Sequence, residues 1–422
     1  MSPTISYFIE QRRYDIDLVK KEQFDLKNLF ERGLCKKVEK SITFLFTGII
    51  VSSKKLLVVF PKGYKIPEND SVIVQHVKNL AITLLRYREE HNLDYEENEL
   101  LFGGGFGERE GLGAALWLLR DFTTYGLINR ETRIKKVGTG PNIDWAATTR
   151  SVDPYIVRNK PYYLEYLVRK TNSDKLNRLK LIHNLAIQKC IKYYGWLWGP
   201  ELDGFDMDSI AVSYDDNIID AILKTELSAT NIDREIKLIQ MLRSFLLGSN
   251  EEENSNKIET LATPFFHNVW EHICGYLFEN EYTKLKKYIP EPIWNWKGKN
   301  TGKKLRQIPD ILYRHDGVLF VLDAKYYETE RNLPGWHDLV KQYFYAYSLS
   351  AVENSYRNVL IFPTFSDKLF EYNGNSEIKG RPDLGRIEAV SLNLYIALSE
   401  YSKRGLLVDI RSKLNELITL NE

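Results

Sequence analysis

Apolar positions along the chain follow two periods, and the clearest change of period lies between residues 308 and 326, IPDILYRHDGVLFVLDAKY. Two short runs of aliphatic and β-branched residues, 308–313 and 318–322, flank Asp316-Gly317. A two-residue type I′ turn needs positive φ at both central positions, so Asp-Gly between such runs predicts a β-hairpin. A second hairpin is predicted from SITFLFTGIIV (41–51), a turn at 52–54 and KLLVVFP (55–61). NVLIF (358–362) reads as a buried strand and 284–289 as a further strand. Helical periodicity predicts helices over 70–92, where Val74, Val77, Leu80 and Leu84 form the stripe, and over 114–125, 176–195, 264–279 and 334–350. Residues 218–247 hold one or two helices, and 1–40 carries helix-like spacing.

GSNEEENSNK (248–257) is polar, acidic and without apolar anchors, the pattern of a linker. It divides the chain into an N-terminal region, 1–250, with a hairpin at 41–61 followed by mainly helical sequence, and a C-terminal domain, 251–422. The order in that domain is helix, three strands, helix, strand, completed by 390–401 and 405–420. The expected class is α+β or α/β, with a mixed central sheet flanked by helices.

A chain of 422 residues with 43% apolar content has ample core for two or three domains. The net charge of +1 leaves any attraction to nucleic acid to local patches. Cys35, Cys190 and Cys274 are too few and too widely spaced for a disulfide framework or a CxxC zinc site. With no signal pattern and no apolar run of membrane length, the expectation is a soluble, cytoplasmic protein.

The hairpin concentrates the candidate chemistry. With a two-residue turn His315 faces Val318, and counting back sets Asp310 opposite Asp323, with Cα atoms about 4.5–5.5 Å apart. A three-residue turn would instead set Asp310 against Leu322. Like charges directly opposed destabilise a ladder, which makes sense if a hard divalent cation such as Mg²⁺ takes the carboxylate oxygens. Lys325 is two residues beyond Asp323, so a strand points both to one face, where an ammonium can orient a water or assist loss of its proton. Hydrolysis of a phosphodiester is the simplest outcome. The bland alternative is a solvated strand end, since Asp-x-Lys after an apolar strand is common. Glu271 is the polar exception in FFHNVWEHICGYLF, either a further acid of the site or an exposed helix glutamate. Gln342, in KQYFYAY, either meets the substrate or Lys325, or has a core or surface role, and Tyr345 is one turn away.

Nine basic residues fall between 284 and 314, with Trp294 and Trp296 among them. Lys297, Lys299, Lys303, Lys304 and Arg306 are candidate contacts to double-stranded DNA, because basic residues with interleaved aromatics suit a phosphate backbone. LFGGGFGEREGLG (101–113) lacks the Gly-Lys-Ser/Thr end of a Walker A loop and the spacing of a dinucleotide fingerprint, so it reads as a loop or a tight helix entry. GTGPNIDWAATTR (138–150) reads as an irregular loop anchored by a buried Trp145, or as a ligand contact.

Pro309-Asp310, then Asp323-Ala324-Lys325, in this order of elements resembles the PD-(D/E)xK nuclease superfamily. More narrowly, LDAKYY followed by DLVKQYFYAY is similar to the LlaJI-type restriction endonucleases, close to McrC-like nuclease subunits. FTGIIV, VFPKGY and the stretch holding Gly140, Asp144, Trp145 and Thr148 extend the likeness over most of the chain. The resemblance implies an endonuclease subunit of an anti-phage restriction system. Asp310, Asp323 and Glu271 would bind Mg²⁺ (with Mn²⁺ as a substitute), Lys325 would assist the attacking water, and Gln342 would match the superfamily's helix glutamine. The tyrosine usual four residues later is replaced by Ala346, between Tyr345 and Tyr347. It also implies a McrB-like AAA+ GTPase partner contacted through the N-terminal region. One site cuts one strand, so a homodimer or repeated action is expected. The alternatives are a DNA-binding or assembly subunit with a degenerate nuclease fold, and a stand-alone type II enzyme.

Overall fold

The computed structural model describes all residues except 1–3, 23–25, 53–54, 92–110, 130, 139–142, 174–177, 198–214, 248–257, 290–294, 297–298, 301–307, 328–332 and 351–354. The chain divides into two compact units. One joins Met1–Gly113 and Trp196–Trp198 to Asn250–Glu422; the other comprises Ala114–Gly195 and Gly199–Ser249. The second unit ends at Ser249 and the first resumes at Asn250, and residues 1–113 fall in the same unit as Asn250–Glu422. The linker 248–257 and the glycine-rich 101–110 lie outside the described residues.

Residues 1–40 hold the two short helices Ile16–Lys21 and Leu26–Glu31, and also the strands Thr4–Ile9, Arg13–Asp15 and Cys35–Val38. Thr4–Ile9 pairs in parallel with Lys55–Phe60, which forms an antiparallel hairpin with Thr47–Ser52, and Ile258–Thr263 closes the sheet on the far side of that strand. The single strand expected over 41–51 is two strands. Ser41–Phe44 belongs to a separate sheet between Arg13–Asp15 and Cys35–Val38, and only Thr47–Ser52 joins the first sheet. Phe44 and Phe46, two apart and so on one face, both enter one core with Phe8, Val19 and Leu57. The break falls at Leu45 and Phe46, outside both strands, where Leu45 N–H donates to Leu34 O at 2.8 Å. Gly48 follows with φ +142°, and a Cβ there would collide with the Leu261 carbonyl of the neighbouring strand.

The C-terminal sheet has five strands in the order Ile311–His315, Val318–Ala324, Tyr356–Thr364, Arg386–Asn393, Phe370–Glu377. The outer pairs are antiparallel and the two inner pairs parallel. Helix Phe266–Leu277 buries Phe266, Val269, Trp270, Ile273, Cys274 and Leu277 at helical spacing, and helix Trp336–Ser350 lies against the three inner strands. Among the described residues, two strands of this sheet, not three, separate those helices. The stretch 284–289 is helical, in Tyr282–Leu285 and Lys286–Tyr288. Asn280 Oδ1 accepts from Tyr282 N at 3.0 Å and starts that turn, while Leu285 and Ile289, four apart, are the residues it buries. Asn295–Trp296 and Lys299–Asn300 form a short separate ladder.

The second unit is mainly helical. Arg178–Tyr194, Asp216–Ser228 and Asp233–Leu246 pack on one another, with Asp121 in a bidentate hydrogen-bonded pair with Arg234. In the stretch 138–150, helix Trp145–Ser151 replaces the expected loop. Asp144 caps it by accepting from Ala147 N at 3.1 Å, and buried Thr148 accepts from Leu167 N. Trp145 is 55% exposed, so the buried anchors are the polar residues and not the indole. Gly140 lies outside the described residues. No described helix is long and apolar enough to cross a membrane.

Gly48→Ala is expected to destabilise the first unit by about 2–4 kcal/mol, through overpacking against Ile258–Thr263 and through backbone strain. Urea unfolding measures the loss, and an unchanged midpoint would refute the close approach.

Candidate active site

Asp316 (φ +50°) and Gly317 (φ +76°) form the predicted left-handed two-residue turn. Its register runs from His315↔Val318 to Ile311↔Leu322, so the next pair outward is Asp310 and Asp323. The alternative three-residue register is excluded. Asp323 lies on an inner strand, opposite Leu360 on its other side, and is 1% exposed. Asp310 sits just before its strand, with Oδ2 accepting from Ala324 N at 3.0 Å. The carboxylate thus closes the ladder across to the strand that carries Asp323.

Asn280 holds Asp310 from the other side. Its Nδ2 donates to Asp310 O at 2.7 Å, and its Oδ1 accepts from Leu312 N at 3.0 Å. One amide at the end of the Phe266–Leu277 helix therefore clamps the strand entry on both sides of Ile311.

Lys325 Nζ is 2.8 Å from Asp323 Oδ2 and 3.0 Å from Asp338 Oδ1. The first contact is a buried ion pair at hydrogen-bonding distance. Lys341 Nζ approaches Asp323 Oδ1 at 3.8 Å. Asp338 and Lys341 come from the Trp336–Ser350 helix, one turn apart on the face that also carries Gln342 and Tyr345. The i, i+3 spacing within DLVKQ was the available signal for them, and it needs the helix to be docked before it points anywhere.

The electrostatics follow from this crowding. Burial, then Asp323 and Glu271, push the Asp310 carboxyl up to about 7, partly offset by the Ala324 N–H. Glu271 is raised by desolvation and by Asp323, with Lys341 and Lys325 opposing, so it is an electrostatic neighbour of the pair. Burial alone would lower Lys325, but Asp323 and Asp338 outweigh it and raise it, keeping the ammonium protonated through the neutral range. Asp338 is lowered because Lys325 outweighs its own desolvation.

Gln342 is placed elsewhere. It is 1% exposed and its Nε2 donates to Val321 O at 3.0 Å, tying the helix to the sheet; no hydrogen bond links it to Lys325 among the described residues. Tyr345 OH donates to Ile308 O at 3.4 Å. Of the basic DNA candidates, Lys297, Lys303, Lys304 and Arg306 lie outside the described residues, and Lys299 is placed only as part of a short strand. Among the described residues, no three His, Cys, Asp or Glu side chains gather tightly enough to hold a metal ion by themselves.

The residue after Lys325 carries a connection that no sequence pattern announced. Tyr326 OH donates to Glu10 Oε2 at 2.6 Å and accepts from Lys62 N at 2.8 Å. Thr47 Oγ1 donates to the same Glu10 oxygen at 2.8 Å. Glu10, Thr47 and Tyr326 are all buried, so three elements of the N-terminal sheet grip the end of the strand bearing Asp323.

A family model described as LlaJI restriction endonuclease matches residues 46–395. A component of a type II restriction enzyme of Bacillus subtilis (strain 168), BsuMI component YdjA, is 25% identical over 388 residues, covering 86% of this chain and 82% of the relative. Among solved structures, a chain in the refined half-complex from the tetradecameric assembly of Thermococcus gammatolerans McrB AAA+ hexamers with bound McrC aligns over 98% of this chain and 100% of its own length. The identity there is 14% and the TM-score 0.41.

A raised carboxyl is most comfortable neutral, so its contribution to stability is greatest in acid and falls as pH rises from about 4 through about 7. Asp310→Asn is accordingly expected to raise the thermal midpoint in EDTA at pH 8 by about 2–5 °C. The gain should vanish near pH 4.5, and a midpoint lowered at pH 8 would refute the charge crowding.

Proposed function

The chain belongs to the LlaJI restriction endonuclease family, and on that premise we propose that it is the DNA-cutting subunit of a restriction system, hydrolysing phosphodiester bonds with Mg²⁺. One observation carries the reading: two carboxylates stand opposed across one ladder with the Lys325 ammonium 2.8 Å from the second.

The donor set fits Mg²⁺. The ion usually takes one or two carboxylates and keeps several waters, so it does not need three protein ligands. Asp310 and Asp323 would hold it, with Glu271 reaching it through water. The raised Asp310 carboxyl beside the buried Asp323 is the mark of a charge cluster that a cation would relieve. Bound there, the ion would polarise the scissile phosphate and acidify a water. Lys325, protonated and held between Asp323 and Asp338, supplies a donor and a positive charge beside the phosphate; it is not a base in this state. Lys341 adds a second positive charge near Asp323. Manganese is the expected substitute.

The partner proposed is an AAA+ GTPase of the McrB kind. It rests on the motif likeness to McrC-like subunits, and the B. subtilis relative is likewise named a component of an enzyme.

Supercoiled plasmid nicking in Mg²⁺, with the chain alone and with a genomically neighbouring AAA+ protein plus GTP, tests the proposal. Asp323→Ala and Lys325→Ala are expected to reduce nicking by about 100-fold or more; nicking at the parental rate by either variant would reject the site. Efficient cutting by the chain alone without nucleotide would instead favour a self-sufficient enzyme. Mg²⁺ should raise the thermal midpoint of the parent and not that of Asp323→Asn.

A further inference from the structure

We propose that the cavity beside the carboxylates receives a single unstacked nucleobase of the DNA strand being cut. The inference rests on the nuclease reading and adds the form in which the substrate lies there.

The cavity has a volume of about 800 Å³, within the ~300–1,000 Å³ range of small-ligand sites. Asp310 and Glu271 line it, so an occupant is adjacent to the reacting phosphate. One stripe of the Phe266–Leu277 helix, Asn268, Glu271, His272 and Gly275, faces it at i, i+3, i+4 and i+7 spacing. Across from this stripe come Tyr87 and His91 of the Asp70–Glu90 helix and its end. Their rings are stacked with centroids 4.3 Å apart, and His91 meets His272 edge-on at 4.2 Å.

The charge of the lining selects the occupant. Among the described residues it contains the carboxyl groups of Glu271, Glu279 and Asp310 and neither lysine nor arginine. With no cation bound, such a lining disfavours a phosphate. A nucleobase is neutral, flat and edged with donors and acceptors, which suits aromatic rings and the Asn268 amide.

Gly275 supports close approach by something outside the protein. A glycine inside a helix is destabilising relative to alanine. Nothing in the fold requires it: its φ is ordinary, and an added Cβ would meet only the Asn280 side chain, at 3.9 Å. The space left open by its missing side chain is the cavity itself. Bases in a duplex are stacked, so an occupant must leave the stack at a cost in free energy. Ring contacts in the cavity offset part of it.

The test uses the full-length protein and single-stranded DNA of about 12 nucleotides carrying either 2-aminopurine or an abasic site at each position in turn. At one position, wild type is expected to change the 2-aminopurine emission and to bind the abasic strand about tenfold more weakly. Gly275→Leu, which fills the cavity, should abolish both effects, and His91→Ala should weaken the discrimination by about fivefold. Gly275→Ala should fold with an equal or higher thermal midpoint; should Gly275→Leu fold poorly, Gly275→Ala and His91→Ala carry the comparison. Equal binding of the two strands at every position, with emission unchanged, overturns the pocket. Plasmid nicking by wild type is scored separately. Nicking with an unperturbed probe rejects only the base pocket, whereas loss of nicking rejects the nuclease reading on which the pocket rests.

Discussion

Two carboxylates facing each other across a β-ladder are the constraint around which the C-terminal half is arranged. Asp323 is buried on an inner strand, and Asp310 is fixed opposite by the Asp-Gly turn and by a hydrogen bond from Ala324 N. Like charges so placed oppose folding. The surroundings compensate in part. Lys325 and Lys341 bring positive charge to Asp323, Asp338 anchors Lys325 from its far side, and Asp310 moves toward its neutral form. The residual strain in charge sets this cluster apart from the core around it.

The N-terminal sheet is part of this arrangement. Glu10 accepts from both Thr47 and Tyr326, and Lys62 N donates to the tyrosine oxygen, so the segment after Lys325 is held by three strands or strand ends from the first sixty-two residues. Lys62 Nζ also lies over the Tyr326 ring at 4.7 Å and 3.8 Å from Glu10 Oε1. Buried polar networks of this kind are costly when broken, because each partner left behind stays desolvated. The first sheet therefore acts as the back wall of the candidate site. Any partner that engages this region would touch a structure already bonded to the strand bearing Asp323 and Lys325.

Local chemistry was legible where it was self-contained. The type I′ turn, the register it imposes and the sharing of a face by Asp323 and Lys325 follow from backbone geometry within twenty residues. Helices with a clear apolar stripe, such as Asp70–Glu90 and Phe266–Leu277, are equally local properties. The misreadings have specific causes. Alternation in 41–51 runs through Phe44 and Phe46, which share one core, so it could not reveal that Ser41–Phe44 and Thr47–Ser52 join different sheets. The basic run at 284–289 resembled a strand until Asn280 nucleated a turn there. A tryptophan at 145 suggested a buried anchor, yet Asp144 and Thr148 fill that role.

From the sequence alone came the pair Asp310 and Asp323 and the companion Lys325, because a two-residue turn and a period of two determine those relations without help from distant residues. Tertiary structure alone decided which other groups meet them. Asp338 and Lys341 depend on how a helix docks, Asn280 on where another helix ends, and Glu10 on a sheet more than three hundred positions away in the chain. Gln342 looked like a member of the site by its place on the helix, and docking turned it instead toward Val321 O. Side-chain periodicity specifies a face; only packing against the rest of the chain specifies what that face meets.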